Sequence, residues 1–271
     1  MLIKKSSSTE SADWESLDAT RSVMRRGVFM DITGLEGAGK SSLAMTAARL
    51  GGLAYIDIDQ SFDRAKQPES KKARDNVKVL PIRYAVGVTE ELIKTSCAAA
   101  WGVMERKMAE AAATWARSEV VDTGTETWEL ARLAAQGTLN PKGKRMDRVY
   151  GPINAKVRQL LRSIYRTHGK HLITIHQLKD EYVDKMKDGE IQSVRTGKMV
   201  RAGFKEIGYL SDVVVRCFRE KDEFKAEIVM CKLAPNGPSL EGLVVEGDQL
   251  DFLEIVMHAT GTEEGDWRKE K

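Results

Sequence analysis

The run "DITGLEGAGKSSLA", residues 31–44, carries the most chemistry in the chain: a glycine, four residues, then Gly-Lys-Ser. Gly34 and Gly39 at that spacing let backbone N–H groups turn inward around phosphate oxygens, where a side chain would block the approach. Lys40 supplies a point charge to the β/γ-phosphates, Ser41 offers a hydroxyl to Mg²⁺, and the helix that follows presents its N-terminus to the anion. The expected contact set is Gly34, Glu36, Gly37, Ala38, Gly39, Lys40, Ser41 and Ser42. A dinucleotide fold is disfavoured, because "GAGKSS" ends in serine where a third glycine should pack. The cradle says that a triphosphate is held; it does not say for what.

A phosphate loop needs partners. Mg²⁺ needs an acid at the end of a neighbouring strand, and "EVVDTG" offers Asp122, which otherwise reads as a helix cap. Hydrolysis needs a group that orients or deprotonates water. "YIDIDQSFD" offers Asp57 and Asp59, two apart and so on one face of an extended strand. "LITIHQLKDEY" ends an apolar strand on the polar pair His176-Gln177. Gln177 is the better γ-phosphate sensor, and His176 fits a hydrogen-bonded core histidine.

Alternating segments must position these groups. Val28–Thr33 reads as a strand, Lys40–Leu50 as a helix and Leu53–Asp57 as a second strand after a Gly-Gly turn. "VKVLPIRY" is a third strand. Thr89 to Arg117 is a long helix with Thr89 as N-cap and Glu90 and Glu91 at its positive end. "SEVVDTG" is a short strand, and "TETWELARLAAQG" a helix closed by Gly137. "LNPKGKRMDRVYGP" reads as a loop, "INAKVRQLLRSIYRTHG" as a helix and "KHLITIHQL" as a strand. Its continuation "KDEYVDKMKDGE" is charge-balanced and suits a solvated hairpin or helix. "LSDVVVRCF", "EFKAEIVMCKL" and "GLVVEGDQL" close the chain as strands. The expected fold is α/β: a mostly parallel, doubly wound sheet with an antiparallel C-terminal edge. The expected organisation is a flexible leader over 1–26, a core over 27–258 and a flexible tail over 259–271.

With 271 residues there is room for one large α/β domain. A net charge of +3 does not by itself argue for nucleic acid, so that argument must come from where the charges sit. Cys97, Cys217 and Cys231 are widely spaced and suit buried thiols in a reducing compartment. No run approaches the ~18 apolar residues of a membrane span, and the N-terminus lacks an apolar signal core, so a cytoplasmic location is expected.

Three motifs in order, "GLEGAGKSS", "YIDIDQSFD" and "ITIHQL", with "VVDTG" between the last two, resemble the RecA-type recombinase core over about residues 27–219. The resemblance implies a RecA-like P-loop NTPase that uses ATP and Mg²⁺. It implies catalytic roles for Lys40, Asp59 and Gln177, and metal-holding roles for Ser41 and Asp122. The family's second-strand run is Ile-Asp-x-Glu; the shorter Asp59 here points to slow hydrolysis. The family's Asn-Gln is His176-Gln177 here. The compact size and "YGPIN" look more like the short RecA-like ATPases of bacteriophages, which act as single-strand annealing recombinases; the location would then be the host cytoplasm.

In RecA-like folds two loops hold DNA. The matching stretches here are "NPKGKRMDRVYG", with Lys142, Lys144, Arg145, Arg148 and Tyr150, and "QSVRTGKMVRAGFK", with Arg195, Lys198, Arg201, Lys205 and Phe204. Basic residues interleaved with an aromatic suit phosphate tracking and base stacking. Lys198 or Arg201 would serve equally as a cation reaching a neighbouring subunit's γ-phosphate. The sequence therefore points to an ATP-dependent single-stranded-DNA-binding recombinase that self-associates as a ring or filament, with a single-strand-binding protein as a further partner. A ring-shaped DNA motor, helicase or packaging ATPase, and a non-DNA regulatory NTPase are the competing readings. A nucleoside kinase fits least.

Overall fold

The computed structural model describes residues 27–85, 89–139, 146–187, 190–233 and 240–263. The expected leader over 1–26, and residues 264–271 of the expected tail, lie outside the described residues.

The strands β1 (Phe29–Gly34), β2 (Leu53–Asp57) and β4 (Ser118–Asp122) are buried along their whole length. That is the mark of parallel strands covered on both faces, and it explains their near-continuous apolar sequences. With β3 (Val77–Pro81), β5 (His171–Lys187), β7 (Val213–Glu220), β8 (Glu223–Cys231) and β9 (Val244–Glu246) they form a sheet in the order β3-β2-β4-β5-β1-β7-β8-β9. β3, β2, β4, β5, β1 and β7 are parallel neighbours, and β8 and β9 extend the β7 side antiparallel. The mostly parallel α/β sheet with an antiparallel C-terminal edge is as expected.

One face is covered by the short α1 (Lys40–Met45), which tightens into a 3-10 turn over Thr46–Leu50, and by α7 (Phe252–Thr260). The other carries α3 (Glu90–Thr114), α4 (Gly124–Gln136) and α5 (Met146–Arg162). A small α2 (Lys71–Asp75) precedes β3, and a one-turn α6 (Ile207–Leu210) precedes β7. α3 buries Cys97, Ala100, Trp101, Met104, Met108 and Ala111, the three-and-four spacing of a helix stripe against a sheet. Its cap is Thr89, whose hydroxyl accepts from Leu92 N–H at 3.3 Å. Gly137 closes α4 at φ 73°, and a Cβ there would lie 2.1 Å from the Glu90 carbonyl oxygen, so only glycine fits.

Three differences from the sequence reading matter. The stretch expected as a loop through Pro152 is helical from Met146, so Tyr150 sits within α5. The second expected loop is a strand: β5 runs for 17 residues and pairs antiparallel with β6 (Glu190–Arg201), giving a long hairpin. Finally, "DFLEIVMHAT", left without an element, is α7, capped by Asp251, whose carboxylate accepts from Leu253 N–H at 2.9 Å.

Candidate nucleotide-binding site

β1 lies between β5 and β7, and its last residue, Gly34, faces Gln177 on one side and Cys217 on the other. A Cβ at Gly34 would sit 2.5 Å from the Cys217 carbonyl oxygen, so the loop can leave the sheet here only through glycine. Gly37 (φ 72°) and Gly39 (φ 83°) then turn the chain through backbone conformations that side chains rarely allow. Lys40, almost fully buried, donates from Nζ to the Leu35 carbonyl at 2.7 Å and so folds back over the loop. Burial holds its ammonium below the ordinary lysine range, opposed by the nearby Cys217 thiol and the carboxylates of Asp122, Asp59 and Glu36. Ser42 accepts from Lys66 N–H at 3.0 Å, and Glu36 is exposed at the loop's tip.

Asp122 ends β4 one strand beyond β5. Ser41 donates from its hydroxyl to Asp122 Oδ2 at 2.7 Å, Ser61 donates to the same oxygen at 3.3 Å, and the Tyr55 hydroxyl donates to it as well. Burial raises the Asp122 carboxyl, the Tyr55 and Ser41 hydroxyls oppose that, and the charges of Asp59 and Asp57 raise it further. Asp57 is also raised, by burial first, against the backbone N–H groups of Ser61 and Phe62. Asp57 and Asp59 converge: Ser61 N–H donates to Oδ1 of each at 3.0 Å. The site thus gathers the carboxylates of Asp57, Asp59 and Asp122 and the hydroxyls of Ser41 and Ser61 beside the buried Lys40.

These residues fit a magnesium-bound triphosphate. The glycines leave a cradle that side chains would close, and the oxygen donors are those of a hard cation. Among the described residues no group of three or more His, Cys, Asp or Glu side chains is arranged to hold a metal by itself. Mg²⁺ usually takes one or two protein oxygens and completes its shell with phosphate and water. Ser41 and Asp122 are the residues that would hold it.

β5 connects this site to the hairpin. Gln177 is exposed beside Gly34, at the point where β5 leaves the parallel sheet. His176, fully buried, places Nδ1 2.7 Å from Asp31 Oδ1, and Thr174 donates to the same oxygen at 3.0 Å. A Cβ on Gly124, at the start of α4, would lie 2.3 Å from His176 Nε2, so the imidazole is packed against the helix that follows Asp122. Arg201, at the end of β6, reaches inward and pairs with Asp31. Burial pushes the Asp31 carboxyl up, but His176, Arg201 and Thr174 together hold it below the ordinary range.

Several residues expected to face DNA have other places. Arg201 is only 17% exposed and belongs to the interior pair with Asp31. Phe204 is buried in the core under α4 and α5. Tyr150 is half-buried; its hydroxyl accepts from Arg132 at 3.0 Å, its ring packs against that of Trp128 at 5.7 Å, and the Arg132 guanidinium lies beside both rings. Arg195 and Lys198 on β6, and Lys205 after it, are exposed, with Arg195 paired to Asp180 at 2.5 Å. Lys142, Lys144 and Arg145 lie outside the described residues, as does the side chain of Arg148.

A family model described as "AAA domain" matches residues 26–238, which takes in every strand from β1 to β8 and the whole site. The chain belongs to this AAA-domain family. The family and the geometry make the protein a P-loop NTPase of AAA type with a mostly parallel α/β sheet. No curated protein matches the chain. Among solved structures, "Crystal structure of the RadB recombinase" is similar over 82% of this chain and 86% of that one, at 16% identity and a TM-score of 0.46.

Sequence reasoning missed part of this AAA-domain site. Tyr55, Ser61 and Asp31 carry hydrogen bonds as central as those of the expected residues. The available signal was a polar group inside each of two apolar strands, Tyr55 in "LAYID" and Asp31 in "FMDIT". A buried polar group without a partner is costly, so each implied one.

Proposed function

We propose that this AAA-type NTPase is an ATP-dependent single-stranded-DNA-binding protein of the recombinase or annealing kind, assembled as a ring or filament, in which the nucleotide sets DNA affinity and hydrolysis resets it. The observation that carries this reading is the continuity of β5. The same strand runs from Gln177, beside the phosphate loop, through a shift of register between Asp180 and Tyr182, into the exposed hairpin that bears Arg195 and Lys198. A group that senses the γ-phosphate at its base can therefore tilt the hairpin, with the irregularity at Asp180–Tyr182 as the place where it bends.

The residues divide the work by position. Gly37, Ala38 and Gly39 present backbone N–H groups, Lys40 neutralises the β/γ-phosphates, and Ser41 with Asp122 orients Mg²⁺, which when bound polarises the phosphate oxygens. Asp59, less buried than Asp57 and beside it, is the acceptor for a water proton. Gln177 reports the γ-phosphate to the hairpin. Lys198 and Lys205 track phosphate charge.

The hairpin also favours self-association. Tyr182 (56% exposed) and Met186 (79%) stand on it beside near-balanced charges, a composition suited to a protein neighbour. Electron microscopy of the protein with oligo-dT and a non-hydrolysable ATP analogue tests the assembly. Closed rings or filaments that require both ligands are expected; monomers under all conditions would refute it.

A further inference from the structure

The phosphate loop accounts for the phosphates of a nucleotide and leaves its base unassigned. We propose that Phe224, with Arg219 beside it, is the stacking platform for the purine base of the bound nucleoside triphosphate. The inference rests on the reading of Gly34–Ser41 as a triphosphate cradle and extends it.

Register brings the platform to the site. β7 pairs with β1 so that Cys217 stands opposite Gly34, and β7 then continues to Glu220, three residues past the point where the phosphate loop begins. The turn into β8 at Lys221 (φ 48°) and Asp222 (φ 70°) returns the chain, and Phe224 comes back opposite Arg219. The Phe224 ring lies on the loop itself. A Cβ at Gly39 would fall 2.9 Å from its Cδ1, 3.4 Å from Cγ and 3.5 Å from Cε1. Gly39 is therefore required twice, for its positive φ and for the ring packed against it.

Phe224 is nonetheless 43% exposed. An aromatic ring fixed on one side by a phosphate loop and open on the other has its free surface where a base can reach it. The other rings near the site are engaged: Tyr55 is fully buried, and Phe62 packs edge-on against it at 5.1 Å. The Arg219 guanidinium lies 5.4 Å from the Phe224 centroid and is held by Asp222 at 3.0 Å. A planar cation beside a planar ring offers a base two surfaces that recognise its π-face. Recognition of the face and not the edge predicts tolerance between adenine and guanine. The larger purine area predicts weaker binding of pyrimidine nucleotides.

The test separates base from phosphate. Binding of a non-hydrolysable ATP analogue and of magnesium tripolyphosphate is measured by calorimetry on the wild type, Phe224→Ala, Phe224→Leu and Phe224→Trp. Leucine keeps an apolar prop on Gly39 but removes the π-face. The proposal expects Ala and Leu to weaken the nucleotide by about tenfold or more. It expects both to leave tripolyphosphate unchanged and Trp to retain nucleotide affinity. Equal losses for both ligands would make Phe224 a prop for the loop and overturn the proposal, as would unaltered nucleotide binding in the Leu variant. A wild type that binds neither ligand would overturn the triphosphate reading itself, and the platform with it.

Discussion

Arg201→Met is the perturbation that most sharply separates an interior role from a DNA-contacting one. Asp31 is fully buried in the central strand, and its charge is compensated by Arg201, His176 and Thr174. Removing the guanidinium leaves a buried carboxylate with one imidazole and one hydroxyl. Breaking a buried pair from one side costs about 3–5 kcal/mol, a large part of the roughly 5–15 kcal/mol that holds a domain folded. The Asp31 carboxyl is held below its unfolded value, so its contribution is complete above the ordinary carboxylate range. It is lost only as pH falls through the depressed folded value. In Arg201→Met that loss moves to higher pH. Urea unfolding at neutral and mildly acidic pH reads both effects. Asp31→Asn combined with Arg201→Met should cost less than the sum of the two single changes, because the partners are in contact. Hydrogen exchange adds a local readout: the Ala202 amide, bonded to the Gln177 carbonyl at 2.9 Å, should lose protection first. A cost under about 1 kcal/mol, within the range of an exposed pair, together with a large drop in DNA affinity, would refute the interior role.

Asp59 and Glu119 give two further predictions. Asp59→Asn should keep nucleotide affinity within a small factor and slow hydrolysis by about 100-fold or more in a phosphate-release assay; full activity would move the base to Asp57 or Glu36. Glu119, buried in β4, has its carboxyl pushed up to about 8 by burial, against weaker opposing effects of Lys170 and the Ala112 N–H. It is neutral in the fold at pH 7, while the unfolded chain releases that proton above about 4.5. Wild-type stability should therefore fall as pH rises from about 5 to 8, by a total on the order of 4 kcal/mol, and level off above that. Glu119→Gln should remove this slope in denaturation curves, and parallel pH profiles for the two proteins would contradict the assignment.

The phosphate loop, Asp122 and the strand-helix alternation were legible because each depends on local residue types at fixed spacing. The strand Leu53–Asp57 and the helix closed by Gly137 needed only apolar runs and a left-handed stop. Pro152 misled, because proline usually ends a helix, yet α5 carries it inside. The stretch after Leu178 suited a solvated hairpin or helix and forms one arm of a hairpin, but its partner β6 read as a loop, because both strands are solvent-facing and lack an apolar period. Val183 faces Val194, but Asp184 faces Ser193 and Lys185 faces Gln192, so pairing was hidden in a polar sequence. Arg201 read as loop charge, since nothing local says that it reaches a carboxylate 170 residues earlier in the chain. α7 had its sign in Asp251 with Glu254 three residues on, an N-terminal cap that the apolar strands before it obscured.

The central claim is that the nucleotide at Lys40, Ser41 and Asp122 governs affinity for single-stranded DNA. Fluorescence anisotropy of labelled oligo-dT, titrated with the protein with and without Mg²⁺ and a non-hydrolysable ATP analogue, measures it directly. The account predicts binding at least about tenfold tighter with the analogue, worth about 1.4 kcal/mol of coupling, and no such difference in Lys40→Ala. Equal affinity in both states, or no DNA binding in either, would contradict it.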